Sequence, residues 1–279
     1  MKRYLTGLIL LTISTGTVAQ QKVITQAVIS TTTNVIAPED EEQNNPNAGG
    51  GRMNFATMMD GEMKSTTWLK NDMVKTLLKS DVIKSTIIRN NATKLTTTLM
   101  EVMGNKWAFS VTDSEQVENR RRMDSAMQSR RKTDSGATAT QQHTEPKVDI
   151  VDAGETKKIA GYVCKKAWII STRFLGTKDT VTVWYTPDIK LQNVSSTGGL
   201  SGLGNMGAVG GLDKLNGFVM RYEFNMRRNR RVEVEVTKID TGKEIEDKEF
   251  DIPKGFEIKT LKEVQSMFGG RGFPGQRPN

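Results

Sequence analysis

"EMKSTTWLKNDMVKTLLKSDVIKSTIIRNNATKLTTTLMEVMGNKWAFSVT", residues 62–112, decides the fold. It contains five runs of strand-forming residues: EMKSTTWLK, DMVKTLLKS, VIKSTIIRN, KLTTTLMEV and KWAFSVT. Turn residues separate them: KND around Asp72, NNATK from Asn91, and GNK from Gly104 to Lys106. Strands recurring about every ten residues, with turn chemistry between them, leave no room for the long crossovers that parallel neighbours need. The stretch therefore predicts an antiparallel meander.

Outward from it, QKVITQAVISTTT (residues 21–33) is β-branched and reads as a first strand, while APEDEEQNNPNAGGGR (37–52) has no apolar periodicity and reads as a loop or disordered insertion. Downstream, DSEQVENRRRMDSAMQSRRK (113–132) breaks the period of two. Glu118 and Arg122 stand four apart, and Met123, Ala126 and Met127 make a narrow apolar stripe, so a helix is expected. TDSGATATQQHTEP (133–146) is a polar linker.

The second half returns to strands. Phe218, Met220, Tyr222, Phe224 and Met226 share one face; Val232, Val234 and Val236 share a face of the next strand, and Phe250 and Ile252 a face of the last. Charged residues between them predict a sheet with one wet side. TTWLKNDMVK (66–75) and TVWYTPDIKL (182–191) share T-x-W-x-x-x-D, which suggests one extended sheet built from two similar stretches. In the tail, Thr260 and Glu263 are placed as a capping box, and Leu261, Val264 and Phe268 as one stripe, of a short helix.

The first nineteen residues carry Lys2 and Arg3, an apolar core at 8–13, and small residues Thr17 and Ala19, the pattern of a cleavable secretory signal. That core is about half of the ~20 residues a membrane span needs. The reading is an exported chain, periplasmic or extracellular, soluble after cleavage. Its organisation is then a signal at 1–19, a first strand and acidic, Gly-rich insertion at 20–60, one antiparallel domain at 61–258 with a helix and linker inserted at 114–146, and a short helix and flexible tail at 259–279.

The charge balance, 40 Lys+Arg against 32 Asp+Glu, is basic without being extreme. Arginine blocks at 119–123, 129–132 and 227–231 lack interleaved aromatics, so they read as solvated turns and helix faces rather than a nucleic-acid surface. Docking of an acidic partner remains the other use for them.

Several motifs fail on context. GLGNMG (202–207) matches G-x-G-x-x-G, but a polar stretch precedes it, and Gly210 and Gly211 interrupt the segment where a helix would have to begin. A mobile loop at a cavity mouth suits it better. Asp134 and Asp240 start DSG and DTG, yet one lies in a linker and the other in what reads as a hairpin turn, not after the apolar strands an aspartic-protease pair needs. One histidine, His143, and one cysteine, Cys164, fall short of a zinc site. Cys164 could pair with His143 as a nucleophile, with Lys165 and Lys166 depressing its pKa; within a strand pattern it reads rather as a small buried hydrophobe.

IAGYVCKKAWI (159–169), WYTPDI (184–189) and F-x-I-P-x-G (250–255), together with the meander, resemble an uncharacterised family of exported Bacteroidota proteins, the DUF4412-like domain of unknown function. The resemblance spans Gly61 to Ile258. That family is similar in layout to the LolA-like lipoprotein-carrier superfamily. This implies a mainly β (α+β) fold: a curved antiparallel sheet or half-barrel, short helices as a lid, and an apolar cavity. On that reading the cavity or lid residues are Trp68, Trp107, Trp168, Trp184, Tyr185, Leu203, Met206, Phe218, Met220 and Tyr222. The expected function is non-enzymatic binding or carriage of a lipid-like molecule, with no cofactor, metal or nucleic acid; the alternative is an envelope interaction module using its basic patches.

Overall fold

The computed structural model describes residues 21–38, 60–80, 83–102, 104–119, 121–122, 125, 147–172, 178–192, 210–225 and 230–264. The signal segment, the acidic insertion from residue 39, the stripe at Met123–Met127, the linker with Asp134 and His143, the Gly-rich loop with Leu203 and Met206, and the tail beyond 264 lie outside them.

Fourteen strands are described: β1 (Lys22–Ile24), β2 (Gln26–Ile36), β3 (Gly61–Lys70), β4 (Met73–Lys79), β5 (Ile83–Asn90), β6 (Leu95–Val102), β7 (Asn105–Thr112), β8 (Lys147–Ile159), β9 (Tyr162–Thr172), β10 (Lys178–Thr186), β11 (Ile189–Leu191), β12 (Phe218–Asn225), β13 (Arg231–Asp240) and β14 (Glu257–Ile258). Twelve form one sheet in the order β14-β7-β6-β5-β4-β3-β2-β13-β12-β10-β9-β8, while β1 and β11 make a separate parallel pair. Every contact in the large sheet is antiparallel except the short β14–β7 pair. The sheet is not closed into a barrel; its ends are β14 and β8. The meander read from residues 62–112 is β3 to β7, paired in sequence order.

Burial along β2 alternates strictly, with Ala27, Ile29, Thr31, Thr33 and Val35 buried and the residues between them half-buried. The same period continues in β3 (Met63, Ser65, Thr67, Leu69) and β4 (Val74, Thr76, Leu78). We call this the inner face. Twelve twisted strands do not lie flat, and a sheet this wide coils around the face it buries. Two apolar clusters lie on this face. One holds Val35, Met63, Leu78, Ala167, Ile169, Val183, Leu212, Tyr222, Val232 and Val234; the other holds Ala27, Ile29, Leu69, Val74, Met220 and Val236 beneath Ile24 of β1 and Ile189 and Leu191 of β11. Each fully buried Ile, Leu or Val contributes roughly 1.5–3 kcal/mol.

The first strand expected from residues 21–33 is split. A bend at Thr25 sends β1 to pair with β11 while β2 runs on to Ile36, between β3 and β13. At the other end, Gly211 (φ 91°) lets a 3-10 turn at Leu212–Lys214 lie against β8 and β9, where a Cβ would stand 2.5 Å from Val148 Cγ1.

The expected strand with Phe250 and Ile252 on one face is not there. After β13 the chain becomes a strap that crosses the outer face toward β7, with a 3-10 turn at Asp247–Phe250. Ile245, Phe250 and Phe256 pack there with Val28, Trp68, Ile88, Leu99 and Ala108, whereas Ile252 is 44% exposed. Asp240 does not open a hairpin either: its Oδ1 accepts the N–H groups of Gly242 and Lys243, and the chain turns into the strap. Two lysines hold the strap. Lys70 Nζ donates to Ile245 O and Asp247 Oδ1, and Lys75 Nζ donates to Glu249 O (2.7 Å) and Oε1 (2.8 Å).

Both helix starts carry a capping box. Thr260 N–H donates to Glu263 Oε2 and Glu263 N–H to Thr260 Oγ1, as the sequence implied. Thr112 and Glu115 repeat the arrangement at the helix of residues 113–119, where Glu118 also pairs with Arg122 at 3.0 Å. The described side chains of that helix are exposed or half-exposed.

Candidate functional site

Backbone register brings the inner-face side chains into rows that cross the sheet. One row runs Val236, Thr31, Ser65, Leu78, Ser85, Met100, Trp107 from β13 to β7. The next runs Ile239, Ile29, Thr67, Thr76, Ile87, Thr98, Phe109. A shorter third joins Val234, Thr33 and Met63. The middle of the face is thus rich in hydroxyls while its flanks are apolar and aromatic. Trp107 stacks on Phe109 at one flank (ring centroids 6.0 Å) and Tyr222 on Phe224 at the other (5.9 Å).

These hydroxyls differ in their partners. Thr67 and Thr76 bond to each other at 3.0 Å, and Thr97 on the outer face to Ser110 at 2.8 Å. Thr31 Oγ1 and Thr33 Oγ1 have no hydrogen-bond partner among the described residues, although the residues are 2% and 0% exposed. The sequence carried a signal for them in the consecutive threonines of STTT, STT and TTT, of which every second one faces inward. Threonine also favours strands for purely conformational reasons, so the pattern reads as strand propensity until burial is known.

The ten residues expected to line a cavity do not share one surface. Trp107, Phe218, Met220 and Tyr222 are buried, the last three within the inner-face clusters, and Tyr185 is half-buried against them. Trp68 lies on the outer face under the strap. Trp168 and Trp184 project outward as well, with Lys166 Nζ 5.8 Å and 5.7 Å from their ring centroids and Lys157 Nζ 4.4 Å from Trp184. Burial, reinforced by the Arg221 guanidinium, holds the Lys157 ammonium below the usual lysine pKa. Leu203 and Met206 are outside the described residues.

Cys164 is fully buried beside Ile159, Ile189 and Phe218, its Sγ 3.5 Å from Tyr162 O. Burial pushes the thiol pKa up despite the opposing pull of Ile159 N–H and Lys157, so the group stays protonated at neutral pH. Asp240 is held below the usual carboxylate range by the Gly242 N–H in its turn.

The described part of the third arginine block is engaged in ion pairs. Arg230 is buried, its Nε and Nη2 2.9 Å and 3.2 Å from the two oxygens of Asp60. Arg231 reaches Glu223 and Glu233, and Arg221 reaches Glu223, Glu233 and Glu235 across β12 and β13. Among the described residues, no group of three His, Cys, Asp or Glu side chains is placed to hold a metal ion, and no helix is long and apolar enough to cross a membrane.

These features define the class: a mainly β domain built on one open, mostly antiparallel twelve-stranded sheet with a buried inner face. The chain belongs to the DUF4412 family, "Domain of unknown function (DUF4412)", which it matches over residues 50–256. No curated protein matches it in sequence. Two solved structures of PNGF-II, in different crystal forms, match at a TM-score of 0.38 each, with 18% and 17% identity. They cover 87% and 88% of this chain, which spans about a third of the PNGF-II chains (33% and 32%).

Proposed function

We propose that this is an exported, non-enzymatic protein that binds or carries an apolar, lipid-like molecule on the inner face of its sheet. The observation that supports it most is an open sheet whose buried face is walled by apolar clusters and stacked aromatics yet keeps hydroxyls in its centre, two of them without a partner among the described residues. A face that served only as filled core would favour apolar side chains there. Binding sites for small molecules combine apolar walls with a few polar groups. No cofactor, metal or nucleic acid is invoked: the buried thiol is protonated and the Asp240 carboxylate is committed to its turn.

Native mass spectrometry of protein purified from its own cell envelope tests the reading. A copurifying lipid, displaced by a fluorescent fatty acid, is the expected result; the absence of both copurification and displacement would sink it. The second reading, an envelope module that docks partners through basic patches, is weakened by Arg221, Arg230 and Arg231, which are all ion-paired within the chain. It predicts instead a pulled-down complex that dissociates at high salt.

A further inference from the structure

We infer that Lys64, Lys79, Lys84 and Lys106, in one row on the outer face of the meander, form a docking line for a linear, carboxylated polysaccharide. The four stand on β3, β4, β5 and β7 in direct cross-strand register, with Glu101 of β6 between the last two. All four are exposed, while Met63, Leu78, Ile83 and Trp107 beside them along the strands are buried. Neighbouring strands are about 5 Å apart, so Lys64, Lys79 and Lys84 bring three like charges together with no acid between them. Like charges directly opposite each other destabilise a sheet. Where acids crowd on the same face, at Glu223 and Glu233, Arg221 and Arg231 bridge them. The lysines have no such compensation. Lys79 has no ion-pair partner among the described residues, Lys64 holds only the exposed Glu62 at 3.2 Å, and Lys84 and Lys106 share Glu101 at 3.6 Å and 3.7 Å. The excess charge points to an anion that is not part of the chain.

The shape of the row selects the kind of anion. It is one side chain wide: the uncharged row Thr66, Leu77, Thr86, Leu99 lies along one side of it, and the acid Glu62 stands on the other. A bilayer presents its charge over an area and favours apolar side chains among the cations. Single-stranded nucleic acid favours aromatic rings to stack on, and the row has none. A polymer of uronic acids carries one carboxylate per sugar along a line, which matches ammonium groups recurring strand by strand. The strap leaves the row open, because it is held at Lys70 and Lys75, toward the opposite ends of β3 and β4. This line is on the face opposite the proposed lipid site and stands whether or not that site is occupied.

The test measures binding of the full mature chain at low salt to polygalacturonate, its fully methyl-esterified form, phosphatidylglycerol vesicles and oligo-dT. Polygalacturonate should bind best, the uncharged ester not at all, and added salt should release the acid polymer. The double variant Lys64→Gln/Lys79→Gln should weaken polygalacturonate about fivefold, the loss of two exposed ion pairs of ordinary strength. Lys178→Gln/Lys190→Gln removes the same charge from exposed positions on β10 and β11 and should leave binding unchanged. The row variant should melt at the parent's temperature or higher, since it relieves repulsion. Equal loss in the two variants would mean that net charge alone attracts the polymer, and overturns the docking line. Vesicles or oligo-dT bound as tightly as polygalacturonate, no polygalacturonate binding at all, or a row variant that melts lower because its lysines hold the fold, overturns it as well.

Discussion

Replacing Cys164 separates a packed thiol from a working one. The residue is 0% exposed among Ile159, Ile189 and Phe218, so Cys164→Ala removes one heavy atom from a filled site. Deleting a single buried heavy atom, as in Ile→Val, costs roughly 0.5–1.5 kcal/mol, and about 1 kcal/mol is expected here. Cys164→Ser keeps the atom count but substitutes a strong hydrogen-bonding group. The thiol stands 3.5 Å from Tyr162 O, and the shorter C–O bond of serine places its oxygen too far for a good bond without movement. A largely unsatisfied hydroxyl should cost about 2 kcal/mol, within the range of roughly 1–3 for a buried orphan. Alanine should therefore be tolerated better than serine, measured as urea midpoints at constant m. A pH dependence accompanies this. Because the folded pKa is raised above the unfolded value of about 8.5, the folded state holds the proton more tightly. The contribution is fully present below about pH 8.5 and is lost as pH rises beyond it, so the gap between wild type and Cys164→Ala should narrow in alkali. Rapid maleimide labelling of the native protein at neutral pH, or serine tolerated better than alanine, would refute the packing argument.

Two further perturbations probe the junctions of the sheet. Asp60→Asn removes the carboxylate that Arg230, 5% exposed, grips through two nitrogens; the expected loss is about 2 kcal/mol, within the range of roughly 1.5–3 for hydrogen bonds to a charged group. A loss below about 1 kcal/mol in denaturant would show that Arg230 is satisfied without Asp60. Phe250→Ala should cost about 3 kcal/mol and raise amide exchange in the strap and β7 before β9 or β10 is affected. Uniform exchange across the sheet would mean that the strap is not a separable layer.

The meander was legible because three local signals agreed: alternation, β-branched residues, and turn residues such as Asn71, whose φ of 52° few side chains accept. The valines of β13 and the Thr260–Glu263 box were legible for the same reason. Phe250 and Ile252 misled because two apolar residues two apart are too short a pattern to distinguish a strand from a turn that buries one of them. The split at Thr25 depends on where β11 lies, which no local pattern records. At the candidate site, Trp68, Trp168 and Trp184 are on the opposite face from Trp107, since facing depends on the register of whole strands rather than residue type. That the Thr31 and Thr33 hydroxyls are buried without a partner among the described residues is a tertiary property that no local pattern records.

The placement of β2 has a consequence for how the chain reaches its native state. Its neighbours are β3 on one side and β13 on the other, and Thr33 meets Val234 across roughly two hundred residues, a separation of the kind that slows folding. β3 to β7 can zip up by adjacent hairpins, but the joint to the other half closes only once β13 has left the ribosome. During synthesis β2 therefore exposes an unpaired edge with no permanent neighbour available on one side.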